Sequence, residues 1–347
     1  MKKLRVITGI ALMSILGFTS CQNEVNDVSG ENPNTNNSTS TTTTNYKRTA
    51  MYDGSDDDFL DGNSCTSIAF PAFATVNGTR VSLLSELSYS QVITILGRFN
   101  DDTDTVVFDF PLKVKTSNYT EVTVNSQAEY NAILSACSTA ESKGENAISA
   151  LEIKFPITIL TYNVSFEQTG SVVITSKQQL YAYMSAVSGT ELYSVKYPIS
   201  VKLEDGTTTT VNSDAEFQSS ITAALTTEAA IKQATENSKK LEAILEKGTF
   251  KIESFISAGV NTASNYKDNT LDFTNDWSVK AVSFLVTKAT GTYEVSSSVD
   301  VFLKFNFSGN TTFSALNNTW KVVSSSASTI TLQSKTNAAV TVVLTQI

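Results

Sequence analysis

The chain has 347 residues, 41% of them hydrophobic and only 17% charged, and its 25 Lys and Arg against 34 Asp and Glu leave a net charge of -9. It contains no histidine. That excludes Ser-His-Asp and Cys-His nucleophile systems and any His-ligated zinc, copper or iron site. An acidic chain without a basic stripe is also a poor partner for nucleic acid or anionic lipid.

Lys2, Lys3 and Arg5 form a positive start, followed by an apolar run of 13 residues from Val6 to Phe18. A membrane-spanning helix needs about 20, so residues 1–20 read as a signal peptide. The run ends in Leu16-Gly17-Phe18-Thr19-Ser20-Cys21. Small residues before a cysteine at this place resemble a bacterial lipobox, with Phe18 where Leu is usual. The resemblance implies that Cys21 is the lipidated first residue of the mature chain. The membrane is then a partner through the N-terminal lipid, and the location is the outer membrane, on its periplasmic or cell-surface face. An ordinary signal peptide with an incidental cysteine is the alternative.

Residues 21–64 are low in complexity, centred on an Asn/Ser/Thr tract that ends in Thr41 to Thr44. Such a segment buries too little apolar surface to offset its ordering entropy, so a flexible tether is expected. Its acidic cluster, Asp53, Asp56, Asp57, Asp58 and Asp61, misses EF-hand spacing and reads as a solvated linker.

Four internal repeats follow. Pro71, Pro111, Pro156 and Pro198 lie 40, 45 and 42 residues apart, each after an aromatic: Phe70, Phe110, Phe155 and Tyr197. Around each proline the apolar residues alternate, as in Val106/Phe108/Phe110/Leu112/Val114, the mark of a half-buried strand. The proline places that strand at an edge or bulge. A turn and a second strand come next. Each unit then opens a helix with a capping box: Ser88/Gln91, Ser126/Glu129, Ser176/Gln179 and Ser213/Glu216. One hairpin with one helix is too small to be stable alone. The units are therefore expected in pairs, 65–140 and 141–225, with a connecting helix over 226–248 closed by Gly248.

From 249 to 347 the sequence is nearly all alternating strand, about eight short strands, which suggests a small barrel or a sandwich. The fold class is thus α+β. Ile244 to Ile252, Thr270-Leu271-Asp272-Phe273, Gly291-Thr292-Tyr293 and Leu316 to Val322 resemble the small lipocalin-like domain of flavobacterial outer-membrane lipoproteins. The Phe/Tyr-Pro hairpin units resemble the repeats found upstream of that domain. The resemblance implies structure more than activity. In the same lineages Asp-Ser/Thr-apolar marks O-glycosylation, which makes Thr105 in Asp104-Thr105-Val106 a candidate.

Few residues carry chemistry. Asp272 and Asp276 near Trp277 are the best pair for a glycosidase, but read more simply as turn residues. Asp101, Asp102 and Asp104 read as an exposed loop. Phe273, Trp277, Phe284, Phe302, Phe305 and Trp320 line a ligand cavity or fill the barrel themselves. With Cys21 taken by lipid, Cys65 and Cys137 are left in an oxidising compartment and are expected to pair, Cys137 from a buried helix position. Two free buried thiols are the alternative. No catalytic residue, metal or cofactor is expected. The expected role is a non-catalytic binding or adaptor module for an envelope protein or glycan. The rivals are a small apolar-ligand carrier using the barrel and a His-independent carbohydrate-active enzyme.

Overall fold

The computed structural model describes residues 35–98 and 104–347. The signal segment, Cys21, Asp101 and Asp102 lie outside these. The described chain builds three apolar cores. One lies in the first two repeats and includes Val81, Leu83, Leu112 and Tyr130. A second lies in the third and fourth and includes Ile159, Leu180, Tyr193 and Phe217. The third fills the C-terminal region.

The strands of the first pair are β1 (Thr66–Ile68), β2 (Ala72–Val76), β3 (Thr79–Leu83), β4 (Val106–Phe108), β5 (Leu112–Thr116) and β6 (Glu121–Val124). Those of the second are β7 (Leu151–Ile153), β8 (Ile157–Tyr162), β9 (Gln168–Ile174), β10 (Leu192–Val195), β11 (Ile199–Leu203) and β12 (Thr208–Val211). Phe70–Pro71, Phe110–Pro111, Phe155–Pro156 and Tyr197–Pro198 are cis peptides. The single strand expected through each proline is in fact two strands in different sheets, because proline has no N–H to continue the ladder.

The two halves go to different partners. In the first pair β1 lies beside β5 and β4 beside β2, with Ile68 opposite Val114 and Ala74 opposite Phe108. In the second pair β7 lies beside β11 and β10 beside β8, with Ile153 opposite Val201 and Ile159 opposite Val195. Each repeat therefore lends its pre-proline strand to its neighbour, reciprocally. The four resulting sheets have three strands each.

Helices α1 (Thr41–Thr49), α2 (Tyr89–Leu96), α3 (Gln127–Ser142), α4 (Lys177–Ala186) and α5 (Asp214–Lys247) complete these pairs. Three of the capping boxes form: the Ser126, Ser176 and Ser213 hydroxyls accept from the amides of Glu129, Gln179 and Glu216. The Ser88 box does not. A 3₁₀ turn over Glu86–Ser88 precedes α2, and the Ser88 hydroxyl accepts instead from the Leu84 amide.

Two expectations are corrected. The tether is folded from residue 35 onward. Asn36 exchanges backbone hydrogen bonds with Tyr193 and covers the free edge of β10. Tyr46 of α1 is fully buried and stacks on Phe217 with centroids 4.1 Å apart. One aromatic anchored in the second core outweighs the poor helix propensity of the threonines. Asp57 is likewise buried, its carboxylate accepting from the Ile68 amide at 2.7 Å. The second correction concerns the connecting helix, which is no separate element. Residues 214–247 contain neither Gly nor Pro, so the fourth repeat's helix runs on unbroken into it.

The C-terminal region is a closed, eight-stranded antiparallel barrel. Its strands are β13 (Thr249–Ser257, extended by the two-residue β14, Val260–Asn261), β15 (Thr270–Phe273), β16 (Ser278–Ser283), β17 (Val286–Ser297), β18 (Val301–Ser308), β19 (Thr319–Ser325), β20 (Thr329–Ser334) and β21 (Thr341–Gln346). Neighbours follow sequence order, and β13 pairs with β21 to close the ring. Gly291 is required where β17 meets β18: a Cβ there would lie 2.6 Å from the Asn306 carbonyl oxygen. Leu241 and Leu245 of α5 join the inward-facing barrel residues in one core. Outward-facing residues such as Thr292, Glu294 and Lys304 stay exposed. The helix therefore plugs one end of the barrel rather than lying along its wall.

Candidate functional site

The segment from Asn36 to Ser64 braces the two repeat pairs. Arg48 Nε donates to the Asn146 carbonyl and the Ile148 amide donates to the Arg48 carbonyl. Past α1 the chain turns onto the first pair, where the Tyr52 amide donates to the Ser117 carbonyl. A cleft of about 460 Å³ opens beside this crossing, lined by Tyr52, Asp53, Asp56, Lys115, Tyr119 and the first turn of α4.

Tyr119 is the hinge of this site. It sits in the β5–β6 turn with φ 67°, a left-handed conformation unusual for a bulky residue. Its hydroxyl donates to the Ala50 carbonyl at 2.9 Å, which ties the turn to the end of α1. Its ring packs between Tyr52 and Tyr181, at centroid distances of 5.7 and 5.8 Å. The Lys115 ammonium lies 4.0 Å from the Tyr52 ring centre, within cation–π range. Burial, and then the neighbouring Tyr52 and Tyr181, push the Tyr119 hydroxyl up to about 12, so it remains a donor at neutral pH. Asp53, Asp56, Lys115 and Lys177 all contribute to the lining, so the cleft balances two carboxylates with two ammonium groups. Sequence reading did not single out these tyrosines. Tyr52 lies in a segment that looks like linker, and only tertiary approach brings it to Tyr119.

The residues singled out earlier fall elsewhere. Cys65 and Cys137 form a disulfide, with Cα atoms 5.9 Å apart, joining the start of β1 to α3. Cys137 is half-buried rather than buried, because the bond lies at the rim of the first core. Thr105 is exposed, and its amide donates to the Asn77 side chain at 2.8 Å. Asp104 accepts from the same Asn77. Asp272 lies in β15 opposite Lys280, and Asp276 lies in the following turn. There it accepts from the Thr274 and Ser278 hydroxyls, which hold it below its ordinary range. These contacts make Asp276 a turn residue rather than half of a facing carboxylate pair.

The aromatics divide. Phe273, Phe305 and Trp320 are buried in the barrel, where Phe250 and Tyr293 meet Phe273 edge-on and Phe307 lies tilted against Phe305. Trp277 instead reaches out of the barrel, its Nε1 donating to the Gly97 carbonyl of the first repeat at 3.1 Å. Phe302 is half-buried, under the Lys335 ammonium, and Phe284 projects into solvent.

Among the described residues, no helix is long and apolar enough to cross a membrane, and no group of three or more acidic or cysteine side chains is arranged to hold a metal ion. Compared with family models, curated proteins and solved structures, the chain finds no significant match.

Proposed function

We propose that this chain is a cell-envelope lipoprotein, held at the outer membrane through lipid on Cys21, that binds glycan non-catalytically in the Tyr52–Tyr119 cleft. One observation carries the binding reading: tyrosine rings, two carboxylates and two ammonium groups converge on a cleft with no net charge. A sugar ring offers C–H faces to aromatic rings and hydroxyls to both kinds of charged group. An apolar or highly charged ligand would leave half of those groups unused. The up-and-down order of the barrel strands supports the lipocalin-like resemblance. The carrier alternative rests on a smaller cavity of about 390 Å³ at the barrel mouth, beside Phe255, Tyr266 and Trp320. Below that mouth the interior is filled by the barrel's own aromatics, which leaves an apolar guest little room.

Titration calorimetry against a panel of envelope oligosaccharides tests the cleft. Binding by the native chain should weaken roughly tenfold or more in Tyr52→Ala, as expected for a lost aromatic anchor. Unchanged affinity in that variant would reject the cleft as the site. Cys21→Ala should lose detergent-phase partitioning and fatty-acid labelling; retention of both would reject the anchor.

A further inference from the structure

The barrel has a plugged end, where α5 enters, and a free end. Strand directions place the β13–β14 turn, the loop before β15, the β16–β17 turn and the loop before β19 together at the free end. The β16–β17 hairpin reaches beyond its neighbours there. Pairing with β15 stops at Thr270 opposite Val282, and pairing with β18 stops at Ser308 opposite Thr290.

Its two-residue turn is Phe284-Leu285, between Ser283 and Val286. The side chains are 87% and 99% exposed. Their φ values are 49° and 66°, so both occupy the left-handed region that a type I′ turn requires and that Asn-Gly fills best. Two bulky apolar residues are the wrong choice for solubility and for backbone alike, so folding does not account for them. Val286, also exposed, continues the apolar surface along the hairpin.

We infer that the Phe284–Leu285 tip is a membrane-insertion point that seats the free end of the barrel on a bilayer containing anionic lipid. Shape argues for lipid. A convex tip of two side chains is far too small for a stable protein interface, which needs about 1,000 Å², whereas a bilayer needs no matching socket. Charge argues the same way. No Asp or Glu occurs from Ser278 to Tyr293; Lys288 lies three residues past Leu285, and Lys280 is matched by Asp272 across the ladder. The loop before β15 adds Lys267 beside Asp268. On a molecule of net charge -9, an anionic surface repels the other faces and selects this one. The inference depends neither on the glycan cleft nor on Cys21.

The test uses the full chain with vesicles of phosphatidylglycerol and brominated phosphatidylcholine in equal parts. Leu285→Trp places an indole at the tip, and Val323→Trp places one on the barrel wall near the plugged end. Quenching is read as the difference from the unsubstituted chain. Quenching at position 285 should exceed that at 323 by about twofold or more, because brominated acyl chains quench only indoles at their own depth. Equal quenching would overturn the inference. In the native chain, vesicles should also slow amide exchange over residues 283–288. The variant Phe284→Asn with Leu285→Gly, whose residues suit this turn, should lose that slowing while the barrel amides keep their protection. Slowing that persists in the variant would overturn the inference. So would equal slowing in concentrated vesicle-free protein, which would show a second copy as the occupant.

Discussion

Asp61 shows how one side chain ties a polar-looking segment to the fold. Its carboxylate accepts from the Tyr130 hydroxyl at 3.0 Å and from the Thr66 hydroxyl at 3.1 Å. Burial, and then the neighbouring Asp57, raise it from 3.8 to about 7. A carboxyl raised in the folded state gives its stabilisation below the unfolded value, and loses it as pH climbs through the folded one. Stability of the first repeat pair should therefore fall between about pH 4 and pH 7. Asp61→Asn should flatten part of that slope in thermal melts across the range; an unaltered slope would mean the carboxyl is not strained by burial. A second residue-scale expectation concerns the barrel hairpin. Phe284→Asn with Leu285→Gly relieves two left-handed residues and should raise stability by about 1–2 kcal/mol. The midpoint of chemical denaturation is the readout, and a lowered midpoint would contradict the turn assignment.

At the scale of elements, the disulfide acts on one core of three. It closes a separation of 72 residues within the first pair. Replacing both cysteines by serine should cost that pair roughly 2–4 kcal/mol, chiefly through the freed unfolded chain. Hydrogen exchange should show the loss around β1, β5 and α3, with the barrel amides unaffected; uniform loss across all three cores would show that they unfold as one. This pairing was legible because cysteines are few and their roles narrow. The barrel was legible too, since inward and outward residues alternate along each of its strands. The strand exchange was not. Alternation around Phe110–Pro111 looks the same whether β4 pairs within its own repeat or with the preceding one, and only register distinguishes them. The cleft stayed hidden for a related reason. Tyr46, Tyr52 and Leu60 sit in a tract whose composition signals disorder, and composition does not record that Tyr46 enters the second core and Leu60 the first.

At the scale of the whole molecule, α5 joins what the cores divide. Its first half places Phe217, Ile221 and Ala224 in the second repeat pair, and its second half places Leu241 and Leu245 in the barrel. Between them Glu228 accepts from the Ser149 and Ala150 amides, and Lys232 meets Glu141 of α3 at 2.6 Å. At 1.5 Å per residue its 34 residues form a rod of about 51 Å. Each residue also advances the helix by about 100°, so residue count between the two cores acts as an angular setting. One alanine inserted after Ala230 should rotate the barrel by about 100° relative to the repeats. An insertion of seven should bring it back to within about 20° of its starting direction, though farther away. Residual dipolar couplings of barrel and repeat amides measure that angle directly; an orientation indifferent to the insertion would mean that surface contacts such as Trp277 with Gly97 set it instead. The direction in which the free end of the barrel points is thus counted out, residue by residue, along a single helix.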